Sequence, residues 1–349
     1  MLYRSELKKL TLVQKGLLTL AVCLLLKVLC LSLVPEQKDY RISLSQKQYD
    51  KYLTQLHGEN TAEKSAWILA DYANGLDTIS KFADMEKQYR SGKLSEEAWE
   101  DYLKRYDTAK LHQNSSEIFA EKAQQFEKQP DTLPAAHYIY EYGWQTIFRI
   151  HQLPDLFLLF GLLILSAQCL TSEYQSGMLS VLLACKNGRH QLLNAKLLAL
   201  LTVCGIAALL SAGIEAAVFC MRGWCNDSGA PLYSIALLTN CTRSLSLVEG
   251  YVLSLLLRSF SAVLIVVFLF SCSVWLKNIQ NTIFVGILLL VLPLLWNSSA
   301  MLYLPSGFLI GTRVLQLQAA PPLFVPALAG MAVTAGLYLC ALRRFCQGI

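Results

Sequence analysis

Six runs of apolar residues, at 16–34, 153–171, 193–220, 245–275, 282–300 and 323–342, approach the roughly 20 residues that a helix needs to cross the hydrocarbon core of a bilayer. No water is available there to satisfy backbone N–H and C=O groups, so runs of this length commit the chain to helices that bond internally. The fifth run is the weakest, because Pro293 interrupts it. The first run contains Lys27, no A-x-A cleavage pattern follows it, and no small residue precedes Cys23 or Cys30. It therefore reads as a span and not as a secretory or lipoprotein signal.

The charges are divided unevenly around these runs. Of 349 residues only 16% are charged and 54% are hydrophobic, against about 25% charged in a soluble domain. Residues 35–152 nevertheless hold 15 Lys/Arg and 19 Asp/Glu, a net −4, and the other 231 positions hold 15 and 6, a net +9. One mildly acidic polar domain thus interrupts a basic membrane protein. The basic excess lies beside apolar runs, where it suits anionic lipid headgroups and not nucleic acid. None of the 11 Cys falls in the polar segment, and most lie in apolar runs as small hydrophobes. Cys225 and Cys241 share one connection, and the sequence leaves open whether they pair or stay thiols.

Lys and Arg collect on the cytoplasmic side of short loops. Arg4, Lys8, Lys9, Lys15, Lys186, Arg189, Lys196, Lys277, Arg343 and Arg344 fall on one side, against Arg222, Arg243 and Arg313 on the other. The expected topology is a multi-pass plasma-membrane protein with both termini cytoplasmic. Residues 1–15 form a cytoplasmic interfacial helix, 16–34 the first span, 35–152 an extracytoplasmic helical domain, and 153–349 spans 2 to 6.

Helical spacing recurs through the polar segment, in Tyr49, Leu53 and Leu56, in Leu76, Ile79, Phe82 and Tyr89, and in Trp99, Leu103 and Tyr106. Ser45 with Gln48 has the form of a capping box. The pattern G-x-x-[ST]-x-E occurs at Gly58–Glu63 and again at Gly92–Glu97, and reads as a turn, a cap and an acidic first helical turn. Tyr138, Tyr140, Tyr142 and Trp144 precede the second span as an expected interfacial belt.

No phosphate loop, H-E-x-x-H or G-x-S-x-G pattern is present, and no catalytic or metal-binding constellation is evident. The most informative stretch is Glu173 to Lys196, directly after the second span. Met178, Leu179, Leu182 and Leu183 recur at helical spacing, as in a short amphipathic helix on a membrane surface. Glu173, Gly177, Leu182, Leu183, Arg189, Leu192 and Lys196 resemble the cytoplasmic loop of the ABC-2 type permeases, with Met178 where Thr is usual and Lys186 where Pro is common. The resemblance implies the membrane-spanning subunit of a bacterial ABC exporter, with a coupling loop at 172–192. It also implies that the coupling residues Glu173, Gly177, Leu182, Leu183, Arg189 and Lys196 serve a separate cytoplasmic ABC ATPase. ATP and Mg would then be held by that partner, this chain being no enzyme and holding no cofactor. A second permease copy or a related permease, and membrane lipid, are the other implied partners.

Lys27, Glu215 and Arg258 stand inside apolar runs, where an ionisable group is costly and is either paired or part of a pathway. Counted from the span ends, all three fall in the outer half of the bilayer, and Glu215 with Arg258 can pair between neighbouring spans. Residues 301–322, broken by Pro305, Gly307, Gly311, Pro321 and Pro322, resemble the re-entrant outer segment of related exporters, and their own pattern fits an ordinary surface loop equally well. The expected fold is an all-α polytopic membrane protein with six transmembrane helices and a helical domain inserted between the first two. The expected function is export of an amphipathic cargo such as a peptide antibiotic, lipid or drug. The alternative is a non-transporting scaffold or sensor whose outer helices bind a ligand or envelope partner.

Overall fold

Five of the six apolar runs form helices long and apolar enough to cross a membrane in the computed structural model, which describes residues 2–130, 133–177, 188–241, 243–295, 299–316 and 324–347. The chain is a helical membrane protein, about 80% helix in 14 helices among the described residues. Two compact units divide it: Met1–Pro35, Ile147–Trp224 and Gly250–Ile349 make the membrane unit, and Glu36–Thr146 with Cys225–Glu249 make the polar unit.

In the membrane unit, α1 (Leu2–Lys8) runs into a π-turn (Lys9–Val13), and Lys15 in the left-handed region (φ 55°) redirects the chain into α2 (Gly16–Leu33). The polar unit contributes α3 (Tyr40–Leu44), α4 (Gln46–Leu56), α5 (Ala62–Ser80), α6 (Phe82–Arg90) and α7 (Glu96–Glu127). Then come α8 (Tyr142–Ile150), α9 (Leu156–Gln175), α10 (Gly188–Met221), α11 (Leu247–Leu276), α12 (Ile279–Leu295), α13 (Gly311–Gln316) and α14 (Phe324–Gln347).

The most enclosed span is α9, with Leu159, Leu162, Leu165 and Leu170 buried among Val203, Cys204, Ile265, Leu269 and Phe270. Burial of such side chains gives no hydrophobic gain against lipid, so close packing and polar contacts must hold the helices together. Close approach is visible where α9 meets α2: a Cβ on Gly161 would lie 3.1 Å from Leu20 Cδ2. The expected fifth span forms the 17-residue α12 with Pro293 inside it, about 25 Å long. Its end is capped from a distance, Arg313 Nη2 donating to Pro293 O at 2.9 Å. Arg222, at the foot of α10, likewise donates to the Ser32 and Val34 carbonyls at the end of α2, where helix carbonyls have no partner of their own.

The segment 299–316 is a series of short helical turns ending in α13, with Leu302, Phe308, Val314 and Leu315 almost wholly enclosed. Backbone of this kind needs its polar groups met by protein. Ser261 Oγ donates to Pro305 O at 2.7 Å, and Thr312 Oγ1 to His151 O at 3.2 Å.

The polar unit is built on the pairing of α5 with α7, a helix of 32 residues. Its core joins Ile42, Tyr49, Tyr52, Leu56, Ile68, Phe119, Phe126 and Tyr138. Both G-x-x-[ST]-x-E copies are helix starts. Gly58 (φ 95°) and Gly92 (φ 71°) take left-handed turns that favour glycine. Thr61 Oγ1 then caps Lys64 N, and Ser95 Oγ caps Ala98 N. The Ser45 capping box does not form, because Ser45 Oγ turns to Ser115 Oγ on α7, 2.8 Å away. A two-residue antiparallel pair, β1 (Gly58–Glu59) with β2 (His137–Tyr138), adds a little sheet to a unit expected to be all-α.

The polar unit ends at Thr146 and not at 152, and it also recruits Cys225–Glu249, which sequence spacing leaves as a plain connection. Trp144 Nε1 donates to Asn226 O at 2.6 Å, Ala236 N to Glu141 Oε2 at 2.9 Å, and the Tyr233 hydroxyl to Pro134 O. These contacts explain why Tyr138, Tyr142 and Trp144 are buried in the unit and do not form the expected interfacial belt. Cys241 is a buried free thiol, so a bridge to Cys225 is not made.

Candidate functional site: two buried ionic clusters in the membrane unit

The sequence-predicted charges Lys27, Glu215 and Arg258 come together. Ser211 and Glu215 lie four residues apart on α10, and Ser254 and Arg258 four apart on α11, so each pair shares a helix face. Lys27 Nζ reaches Glu215 Oε1 at 2.6 Å and donates to Asp155 Oδ2 at 2.5 Å, to Ser211 O at 3.3 Å and to Ser211 Oγ. Asp155, the N-cap of α9, also accepts from Ser211 Oγ at 2.7 Å and from Leu158 N at 3.1 Å.

His151, fully buried, joins Glu215 Oε2 (3.2 Å) to Ser254 Oγ (2.6 Å). The same Ser254 hydroxyl donates its proton to Tyr251 O at 2.9 Å. Lys27 and Arg258 set two positive charges against the carboxylates of Glu215 and Asp155, and such pairing is what lets a membrane interior tolerate ionised side chains. Arg258 is held more loosely. Its Nη1 stands 3.5 Å from Glu215 Oε1 and makes no hydrogen bond, although the residue is 8% exposed. It borders a cavity of about 20 Å³ lined also by Asp155, Ser211, Glu215, Ser259 and Leu309.

A second cluster lies at the other end of the spans. Lys196 and Glu215 are 19 residues apart on α10, about 28 Å along the helix. Lys196 Nζ donates to Glu173 Oε1 and to Glu6 Oε2, each at 2.7 Å, and Lys9 Nζ donates to the same Glu173 oxygen. Gln14 Nε2 adds a bond to Ser172 Oγ at 2.9 Å. Glu173 and Lys196, two of the sequence-predicted coupling residues, are therefore buried partners of each other and of the N-terminal segment. Gly177 takes a left-handed turn (φ 69°) beyond α9, and Arg189 Nη1 donates to Cys346 O at 2.8 Å. Leu182 and Leu183 lie outside the described residues.

The chain matches no protein-family model, no curated protein and no solved structure.

Sequence reasoning missed Glu6, Lys9, Asp155 and His151. Charge balance was the available signal: Lys27, Arg258 and Glu215 sum to +1, so a second buried carboxylate was required. Asp155, near the start of the second apolar run, supplies it. Among the described residues no group of three or more His, Cys, Asp or Glu is placed to hold a metal ion.

Proposed function

We propose that this chain is the permease subunit of an ABC-2 type exporter in a bacterial plasma membrane, working with a second permease and a separate cytoplasmic ABC ATPase. In this reading both termini are cytoplasmic, α12 with its Pro293 break completes six membrane passages, and the polar unit is extracytoplasmic. ATP and Mg belong to the partner, and the cargo is amphipathic.

The observation that carries the reading is the ionic tie beneath the motif. Glu173 and Lys196 bracket residues 178–187, bond to each other, and bond onward to Lys9 and Glu6. A force applied to that loop by a docked ATPase reaches α9, α10 and the N-terminal segment together. Buried ion pairs in a packed helix bundle suit such transmission, because they have a few discrete arrangements and not a continuum. Nucleotide binding to the partner supplies the differential affinity that shifts the spans between two states.

The test is affinity purification of the full chain from its native membrane together with whatever ABC ATPase it binds. An ABC ATPase is expected to co-purify in detergent, and Gly177→Pro is expected to abolish export, because proline cannot adopt the positive φ found there. Association and export that both survive this change would defeat the coupling role.

A cleft of about 360 Å³ between α5 and α7, lined by Asp71, Asn74, Lys104, Thr108 and His112, favours a second reading in which the polar unit senses a small polar ligand. Loss of a response to such a ligand without loss of ATPase association would separate the two.

A further inference from the structure

The ionic cluster around Glu215 is balanced in charge but not in hydrogen bonds. Each of the four carboxylate oxygens has a partner: Lys27 and His151 serve Glu215, while Lys27, Ser211 and the Leu158 amide serve Asp155. The Lys27 ammonium is surrounded by four oxygens. Arg258 is the exception. Its guanidinium carries five donors in a planar fork. Its Nη1 is paired with Glu215 Oε1 at 3.5 Å but makes no hydrogen bond.

An unmet donor on a buried charged group is costly, and this one borders a cavity whose other walls include Leu158, Leu159, Leu255 and Leu309. The cavity, at about 20 Å³, has room for about one water molecule. That water fills the place of an acceptor without satisfying a fork built for two parallel oxygens.

We propose that Arg258 is the recognition residue for an oxyanion, a carboxylate or phosphate, carried by an amphiphile whose apolar part lies against the leucines. This deepens the exporter reading by naming the cargo class, and rests on it for the word cargo. The guanidinium suits this chemistry because it pairs bidentately with carboxylate or phosphate and stays charged when buried. Lys27, already saturated, cannot serve. The segment 299–316 contributes Leu309 to the cavity wall, and its side-chain hydrogen bonds to neighbouring elements include Ser261 to Pro305 O, Thr312 to His151 O and Arg313 to Pro293 O. A cavity of about 20 Å³ is smaller than a phosphate group, so the proposed occupant requires this wall to shift.

The experiment uses the full chain in maltoside detergent without any ATPase, so its failure is distinct from failure of the exporter reading. Dodecyl phosphate and dodecanoate are expected to bind and raise the melting temperature, and dodecyltrimethylammonium is not. Arg258→Gln is expected to weaken dodecyl phosphate binding roughly tenfold to a hundredfold. Arg258→Lys keeps the charge and the fold but loses the fork, and is expected to bind between the two. Arg105→Gln, in the polar unit, leaves binding unchanged.

Nanodiscs separate the sources. If phosphatidylglycerol, and not phosphatidylcholine, already occupies the seat and blocks dodecyl phosphate, the oxyanion is a lipid headgroup. If neither lipid blocks, it belongs to a free amphiphile. Equal affinity in the wild type, Arg258→Gln and Arg258→Lys overturns the proposal, as does inorganic phosphate binding as tightly as dodecyl phosphate.

Discussion

Lys27 Nζ stands 2.6 Å from Glu215 Oε1, with the two side chains only 3% and 2% exposed. A buried ion pair adds little net stability compared with a well-packed apolar pair, but removing one partner leaves an uncompensated charge. Glu215→Gln and Lys27→Met are each expected to destabilise the membrane unit by roughly 3–5 kcal/mol. The double variant should cost clearly less than their sum. Unfolding free energies in mixed micelles, taken around the full cycle, check this; additive losses would mean that the pair is not coupled.

The second cluster makes a different demand. Lys196→Glu places three carboxylates together with Lys9 and should release the N-terminal segment, seen as faster amide exchange over residues 2–13. The exchanged pair Glu173→Lys with Lys196→Glu restores the local charge sum and should recover part of the protection. Unchanged exchange in the single variant would show that Glu6 and Glu173 do not hold α1 through Lys196.

Gly311 begins α13 against the backbone of α11, where an added Cβ would lie 2.6 Å from Ser254 O and 2.8 Å from Ser254 Cα. Gly311→Ala must therefore push the buried segment away from α11, at a cost of about 1–3 kcal/mol. The Thr312 bond to His151 O should weaken with it. A melting temperature equal to that of the wild type would mean that the segment is not packed there.

In the polar unit, His112 is held below its ordinary pKa, chiefly by burial and secondarily by Lys51, with Asp71 opposing. The unfolded chain binds the proton more readily, so stability is fully present above the ordinary histidine range and falls as pH drops through it. His112→Gln removes this contribution. Amide exchange of α4 and α7 between pH 7.5 and pH 5 should accelerate more in the wild type than in the variant; identical acceleration would assign the dependence to other groups.

What could be read from sequence was set by the range of the interactions. Span positions depend on local hydropathy, and α2, α9, α10, α11 and α14 all correspond to expected apolar runs. The Gly58 and Gly92 turns with their Thr61 and Ser95 caps were legible because each motif closes within six residues. Ser45 was misread because its hydroxyl bonds a residue 70 positions away. Recruitment of residues 225–249 to the polar unit was invisible for the same reason: Trp144 to Asn226 and Tyr233 to Pro134 leave no trace in local pattern. Glu215, Arg258 and Lys27 stood out as charges in apolar runs, whereas Asp155 and His151, at a span end, had the appearance of ordinary interfacial residues.

The most direct measurement places a photoreactive benzoylphenylalanine at Leu183, within the stretch that resembles a coupling loop, and identifies the adduct by mass spectrometry. The proposed function predicts a nucleotide-sensitive adduct with a protein carrying a G-x-x-x-x-G-K-[ST] phosphate loop. It also predicts that an equivalent label at Thr78, in the polar unit, gives none. Adducts at Leu183 with lipid alone, or the same ATPase adduct from both positions, would contradict it.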